Sequence, residues 1–196
     1  MADMTAQANG QTVPAGLAAD GSLLVFGYGS LIWKPEFLFR QDLYAHIDGF
    51  LRDFCLHSIE HRGTPERSGL VLGLAPGGAC RGVVFEIPSG QATTALAAMD
   101  ARELVTSAYV PREVTARTAV GLIRARTYVC DIAHPQFAGR LSVEQATARI
   151  VGARGQYGAN EDYAFETVRA LRNRGIHDGR LEAITASIAQ EMRKGA

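Results

Sequence analysis

Four short segments hold the residues able to do chemistry. The first is Phe26-Gly27-Tyr28-Gly29-Ser30-Leu31. Two glycines flanking a tyrosine let the backbone come very close to a ligand, and successive free N–H groups in such a turn form an anion-binding concavity. The dinucleotide-binding pattern fails here because Ile32 stands where a third glycine is required, and a P-loop fails because no Gly-Lys-Ser/Thr follows. An ordinary glycine turn is the competing reading. The second candidate is Glu103. Leu96, Met99 and Glu103 fall at i, i+3 and i+7, so on a helix they share one stripe. A carboxylate closing a core-facing stripe is costly unless paired or protonated, and burial raises its pKa toward the value a general acid/base needs near neutral pH. The competing readings are a solvated residue beyond the helix end, or a carboxylate paired with Arg102.

The third candidate groups His57, Glu60, His61 and Arg62, with Cys55 nearby. Their order does not match HExxH, and on a strand the two histidines stand about 13 Å apart, so a metal is not expected. The run His61-Arg62-Gly63-Thr64-Pro65 reads better as a turn, in which Arg62 either holds a carboxylate through a bidentate pair or is a surface arginine. The fourth, Gly152 to Asn160, is glycine-dense and reads as a loop with close backbone approaches; a turn between two helices suffices to explain it. Spacing gives no case for a Ser/His/Asp triad.

The elements that must position these residues are legible in part. Residues 1–21 read as a flexible N-terminal arm and 22–196 as a single domain. Leu23–Phe26 reads as a buried strand ending in a tight turn, and Leu43–Ile47 and Phe50–Leu56 as weaker strands. Segments 70–74 and 82–87 read as two strands separated by the turn Pro76-Gly77-Gly78, with 109–117 and 123–129 as half-buried strands. A helix capped by Ser89 runs to about Leu104. Ser142 with Gln145 fits a capping box before Val143, Ala146 and Ile150. Asn160 reads as the cap of a helix stopped by Gly175, and Asp178 as the cap of a last helix with Leu181, Ile184, Ile188 and Met192 on one face. Strands first and helices last predict an α+β class rather than a βαβ repeat.

Composition narrows the function. Of 196 residues, 47% are hydrophobic and 20% charged, so the chain is globular; a formal net charge of +0 removes the footprint expected for nucleic acid or an anionic membrane surface. The first Lys or Arg is Lys34, which leaves no charged n-region for a signal peptide, and no apolar run reaches the length of a membrane span. The 3 cysteines are odd in number, far apart and outside any CxxC pattern, which argues against a disulfide framework and a cysteine zinc site. A cytoplasmic monomer is the expectation.

Taken together, the four segments resemble one family. Phe26-Gly-Tyr-Gly-Ser-Leu-Ile-Trp33, His61-Arg-Gly-Thr-Pro65, Arg102-Glu103 followed by Tyr109, and Gly155-x-x-Gly158-x-Asn160-x-x-Tyr163 look like the ChaC family of γ-glutamylcyclotransferases that act on glutathione. Order and spacing match from about residue 23 to 190. The resemblance implies a small, mostly antiparallel β-barrel surrounded by helices. It implies Glu103 as catalytic base and acid, glutathione as the small-molecule substrate, and no metal and no cofactor. It also implies a site between Glu103 and the turn Phe26, Gly27, Tyr28, Gly29, Ser30, Leu31, and Arg62, Tyr109 and Tyr163 are read as further, weaker candidates for substrate contact. Gln156-Tyr157 departs from the smaller residues usual in the glycine loop and bears on substrate preference. Three alternatives stand beside this reading: a cyclotransferase for other γ-glutamyl amino acids or amines, a non-catalytic regulatory binding protein on the same fold, and a metal-dependent hydrolase using His57 and His61.

Overall fold

The computed structural model describes residues 15–195 and, ahead of them, the backbone of residues 7–8 and 11–12. β1 (Gln7–Ala8) and β2 (Gln11–Thr12) form a short antiparallel ladder. The rest of the expected arm up to residue 14 lies outside the described residues. Residues 16–22 form a turn against the barrel: Gly16 N donates to Glu113 Oε2 at 3.2 Å, and Leu24 N donates to Gly16 O at 2.8 Å.

Five strands follow: β3 (Leu23–Gly27), β4 (Gln41–Ser58), β5 (Gly69–Ile87), β6 (Tyr109–Thr118) and β7 (Gly121–Cys130). They close a barrel in the order β3-β5-β4-β6-β7. All pairings are antiparallel except the closure, where Val25 of β3 meets Arg126 of β7 in parallel. With four helices around it, the barrel gives the α+β class and the architecture expected.

The strand boundaries need correction. The two segments 43–47 and 50–56 are one strand, and so are 70–74 and 82–87; Pro76-Gly77-Gly78 is not a turn. Gly77 (φ 101°) and Gly78 (φ 66°) take left-handed backbone near Gly49 (φ 85°) on the partner strand, and the ladder shifts register between Asp48 and Phe50. That is a bulge: both strands bend while pairing continues on either side. The hairpin's own turn is residues 59–68, which contains the His61–Pro65 run.

The helices are α1 (Ser89–Glu103), α2 (Val143–Ile150), α3 (Asn160–Asn173) and α4 (Gly179–Lys194). The Ser142/Gln145 capping box is present, and Asp178 Oδ1 caps α4 by accepting from Leu181 N at 3.2 Å. Two expected caps are corrected. Pro88 and Ala159 occupy the N-cap positions of α1 and α3, and neither Ser89 nor Asn160 bonds its helix end. α1 lays Ala92, Ala95 and Met99 on the core; small residues there let the helix lie close. α4 buries Leu181, Ile184 and Ile188, whereas Met192, expected on the same stripe, is 47% exposed. Phe26, Phe54 and Phe85 are fully buried, each contributing about 1.5–3 kcal/mol through burial.

Candidate active site

β3 ends at Gly27, and the chain then turns through a short 3-10 helix, η1 (Ser30–Ile32). Ile32 N donates to Gly29 O at 3.0 Å, and Lys34 N to Ser30 O at 2.7 Å. The leading N–H groups of Gly29, Ser30 and Leu31 therefore have no partner within the turn itself. Three long-range bonds fix its orientation. Thr127 Oγ1 donates to Phe26 O at 2.9 Å, Arg52 Nη1 to Tyr28 O at 2.9 Å, and Arg102 Nη2 to Ser30 Oγ at 2.6 Å.

Glu103 is the last residue of α1, facing this turn, and its side chain is 17% exposed. Two of the sequence readings turn out to hold together: the carboxylate is buried in the site wall and also meets Arg102 Nε at 3.3 Å. Burial pushes its pKa up; Arg102 pulls the other way, and Glu36 adds a further push upward. One turn earlier, Asp100 accepts from Tyr128 Oη and from Arg126 Nη2, both at 2.6 Å, which pins α1 to β7.

An inner pocket of about 40 Å³ lies against Tyr28, Ser30, Leu72 and Glu103. It adjoins an outer cleft of about 690 Å³, and Ser30, Glu103, Tyr109 and Tyr163 line both. The cleft is within the range of about 300–1,000 Å³ usual for small-molecule sites.

Tyr109 Oη donates to Leu72 O at 2.6 Å, while Tyr163 Oη accepts from Leu72 N at 3.3 Å. Burial raises the Tyr28 and Tyr109 phenols well above the usual tyrosine range and that of Tyr163 to about 12, so all three stay neutral. Arg62 lies over the Tyr163 ring at 5.2 Å and donates through Nη1 to Ala159 O at 3.1 Å, with its pKa lowered by burial. The fourth segment packs on the third. It forms a ribbon of β8 (Arg154–Gly155) and β9 (Gly158–Ala159), with Gln156 N donating to Glu60 O at 2.8 Å and Tyr157 N to His61 O at 3.0 Å. All four segments thus converge on one cleft.

His57 and His61 line the outer cleft, His57 Nδ1 lying 3.2 Å from Ser68 Oγ and the His61 ring 4.9 Å from that of Tyr157. Among the described residues, no group of three or more His, Cys, Asp or Glu side chains is placed to hold a metal ion. The cysteines are free, but not all are far apart in space: Cys55 Sγ and Cys130 Sγ lie 3.5 Å apart, both buried. No helix among the described residues is long and apolar enough to cross a membrane.

Three contributors escaped the sequence reading: Arg52, Glu36 and Asp100. For Arg52 a signal exists, since the adjacent charges Arg52-Asp53 interrupt an apolar strand and buried charges demand partners. Arg52 meets Asp178 at 2.9 Å and Asp53 meets Arg180 at 2.7 Å, clasping the start of α4.

The family described as ChaC-like protein matches residues 23–191. The glutathione-specific gamma-glutamylcyclotransferase of Schizosaccharomyces pombe is 32% identical over 203 residues, covering 91% of this chain and 98% of that one. The protein named glutathione-specific gamma-glutamylcyclotransferase 1 in Danio rerio is 30% identical over 184 residues, covering 90% and 94%. The Escherichia coli protein bearing the same glutathione-specific name is 29% identical over 170 residues, covering 86% and 74%. A crystal structure of a yeast gamma-glutamylcyclotransferase specific to glutathione superposes with a TM-score of 0.80 at 23% identity, covering 87% and 96%, so the fold is shared.

Proposed function

The chain belongs to the ChaC-like family, and from that premise we propose that it is a γ-glutamylcyclotransferase converting reduced glutathione to 5-oxoproline and Cys-Gly. The observation that carries the reading is Glu103, a desolvated carboxylate facing a turn whose leading N–H groups are free of partners within it. The names of the relatives support the substrate.

In this reaction the substrate brings its own nucleophile. The α-amine attacks the γ-amide carbonyl carbon, a C–N bond closes the five-membered lactam, and the bond to the cysteine nitrogen breaks. Neither a metal nor a covalent enzyme intermediate enters the scheme. Holding the chain folded for attack supplies about 7–11 kcal/mol of the barrier. Two proton problems remain: the amine arrives as an ammonium, and the departing nitrogen needs a proton. Glu103 takes a proton from the ammonium and delivers it to the departing nitrogen, then relays the second proton that the attacking nitrogen loses in becoming the lactam N–H, so that Cys-Gly leaves as an ammonium. Its raised pKa makes it a competent base near neutral pH and a willing donor afterwards. The N–H groups of the Tyr28–Leu31 turn meet the carbonyl oxygen as it gains charge.

The backbone of Leu72 sorts the two phenols. Tyr109 spends its only O–H on Leu72 O and has acceptor capacity left, which suits the substrate ammonium. Tyr163 accepts from Leu72 N and keeps its O–H, which suits a substrate carboxylate. Arg62 serves the same carboxylate or the peptide tail. Buried free thiols and a reduced substrate fit a cytoplasmic setting.

The test is to incubate the purified protein with reduced glutathione and quantify 5-oxoproline and Cys-Gly by mass spectrometry, beside Glu103→Gln. Product from the wild type alone is expected. Equal product from the variant removes Glu103 as the proton carrier; product only from other γ-glutamyl compounds replaces the substrate.

A further inference from the structure

We propose that Glu36 is a positioning residue that holds the Arg102 guanidinium off the Glu103 carboxylate. The inference rests on the reading of Glu103 as the general base.

Arg102 faces four acceptors and is shared unequally among them. Nη1 donates to Glu36 Oε2 at 2.9 Å and reaches Lys34 O at 3.3 Å, and Nη2 donates to Ser30 Oγ at 2.6 Å. Its shortest approach to Glu103 is longer, an ion-pair contact from Nε to Oε1 at 3.3 Å. A guanidinium that forked onto Glu103 would make the strong bidentate pair that favours the ionised carboxylate and removes its basicity. Nη1 and Nη2 are instead engaged by Glu36, the Lys34 carbonyl and Ser30.

Glu36 is built for this at a conformational cost. Its φ is 57°, a left-handed backbone uncommon for a residue other than glycine, and Lys34 Nζ meets its other carboxylate oxygen at 3.0 Å. Strain of this kind persists where surrounding contacts over-determine it, and here the contacts are the two cations.

The other groups facing Glu103 leave this balance alone. Tyr28 comes from the turn after β3, Tyr109 from β6 and Tyr163 from α3, and burial keeps all three phenols neutral. His57 and His61 sit further out in the cleft, and burial lowers the pKa of His57. Glu60 and Arg62 line the same cleft from the 59–68 turn; the charges that bear on Glu103 are Arg102 and Glu36, and Lys34 pairs with Glu36.

The test is the pH profile of kcat/KM for the wild type, Glu36→Gln, Arg102→Gln and the double variant, with thermal melts to confirm folding. In Glu36→Gln the acid limb should move to lower pH by about 0.2–0.7 unit, the span that partly exposed charge pairs usually produce. In the Arg102→Gln background the same change should move it far less. An unmoved limb in Glu36→Gln, or an equal shift in both backgrounds, overturns the proposal. The Glu103 carboxyl carbon can also be titrated by ¹³C NMR without turnover. A wild type that ignores glutathione while its Glu103 still responds to Glu36→Gln would fail the catalytic reading and keep this one.

Discussion

Arg52 Nη1 donates to the carbonyl oxygen of Tyr28 at 2.9 Å. The peptide that follows Tyr28 is planar and trans, so fixing this oxygen also fixes the opposite direction of the Gly29 N–H. A buried arginine on β4 thereby sets the aim of a backbone donor in the active-site turn. The same guanidinium donates to Arg81 O at 3.0 Å and twice to Asp178, through Nε at 3.1 Å and Nη2 at 2.9 Å. Lysine keeps the charge but cannot fork to all three partners. Arg52→Lys should therefore lower kcat by on the order of 10²-fold, the low end of losing one oxyanion donor. Each buried acceptor left unpaired costs about 1–3 kcal/mol of stability. Steady-state kinetics and melting together decide the matter: a lower Tm with kcat intact confines Arg52 to a structural role.

Glu103 should cost the fold stability at neutral pH. Its folded pKa is raised above the ordinary carboxylate value because burial penalises the charged form. The folded chain thus binds this proton more tightly than the unfolded chain. The favourable contribution is complete below the unfolded pKa and is lost as pH rises through the higher folded value. Glu103→Gln has nothing to titrate. Its Tm relative to wild type should climb as pH rises above the usual carboxylate range and then level off, with about 2–4 °C for each kcal/mol. The same variant should be inactive, so stability and activity move in opposite directions. A Tm difference that stays flat between pH 4 and pH 8 would contradict a raised pKa.

Much of this site was legible because its signals are local. The glycine turn and the i, i+7 stripe ending at Glu103 each lie within a few residues, and so does the Ser142/Gln145 box. What misled was local signal with a distant partner. Pro76-Gly77-Gly78 has the composition of a turn, but its conformation belongs to a bulge shared with the other strand near Gly49. Asn160 has the preference of a cap, yet its amide serves Leu70, 90 residues earlier. Cys55 and Cys130 are 75 residues apart in sequence and meet only because the barrel closes. Arg102 was visible as a neighbour of Glu103, but its bonds to Ser30 and Glu36 depend on how η1 approaches the end of α1.

Asn160 should be a stability hot spot with little chemical role. Its Oδ1 accepts from Leu70 N at 2.6 Å and its Nδ2 donates to Leu70 O at 2.8 Å, with the whole residue buried. The amide satisfies the start of β5 as a neighbouring strand would. Asn160→Ala orphans both backbone groups, at about 1–3 kcal/mol each. Asn160→Asp keeps the acceptor but loses the donor and buries a charge, so it should not rescue. Urea melts of the three proteins check this: a midpoint for Asn160→Ala matching the wild type would mean water replaces the amide without loss.

Gly155 tests whether Arg62 holds substrate. A Cβ at this position would overlap Glu60 O and meet His61 C at 2.5 Å and His61 O at 2.6 Å. All three are backbone atoms and cannot rotate aside, so Gly155→Ala must push the β8–β9 ribbon away from residues 60–61. That movement strains the bonds from Gln156 N and Tyr157 N to the 60–61 carbonyls, and the one from Arg62 Nη1 to Ala159 O. Overpacking of this kind costs about 1–3 kcal/mol in stability. Glu103 and the Tyr28–Leu31 turn sit on other elements and keep their geometry. The expected signature is a KM for glutathione raised by on the order of tenfold, about 1.4 kcal/mol of binding, with kcat changed far less. A folded variant whose kcat collapses at unchanged KM would show that the ribbon supports the chemistry and not the binding of substrate by Arg62.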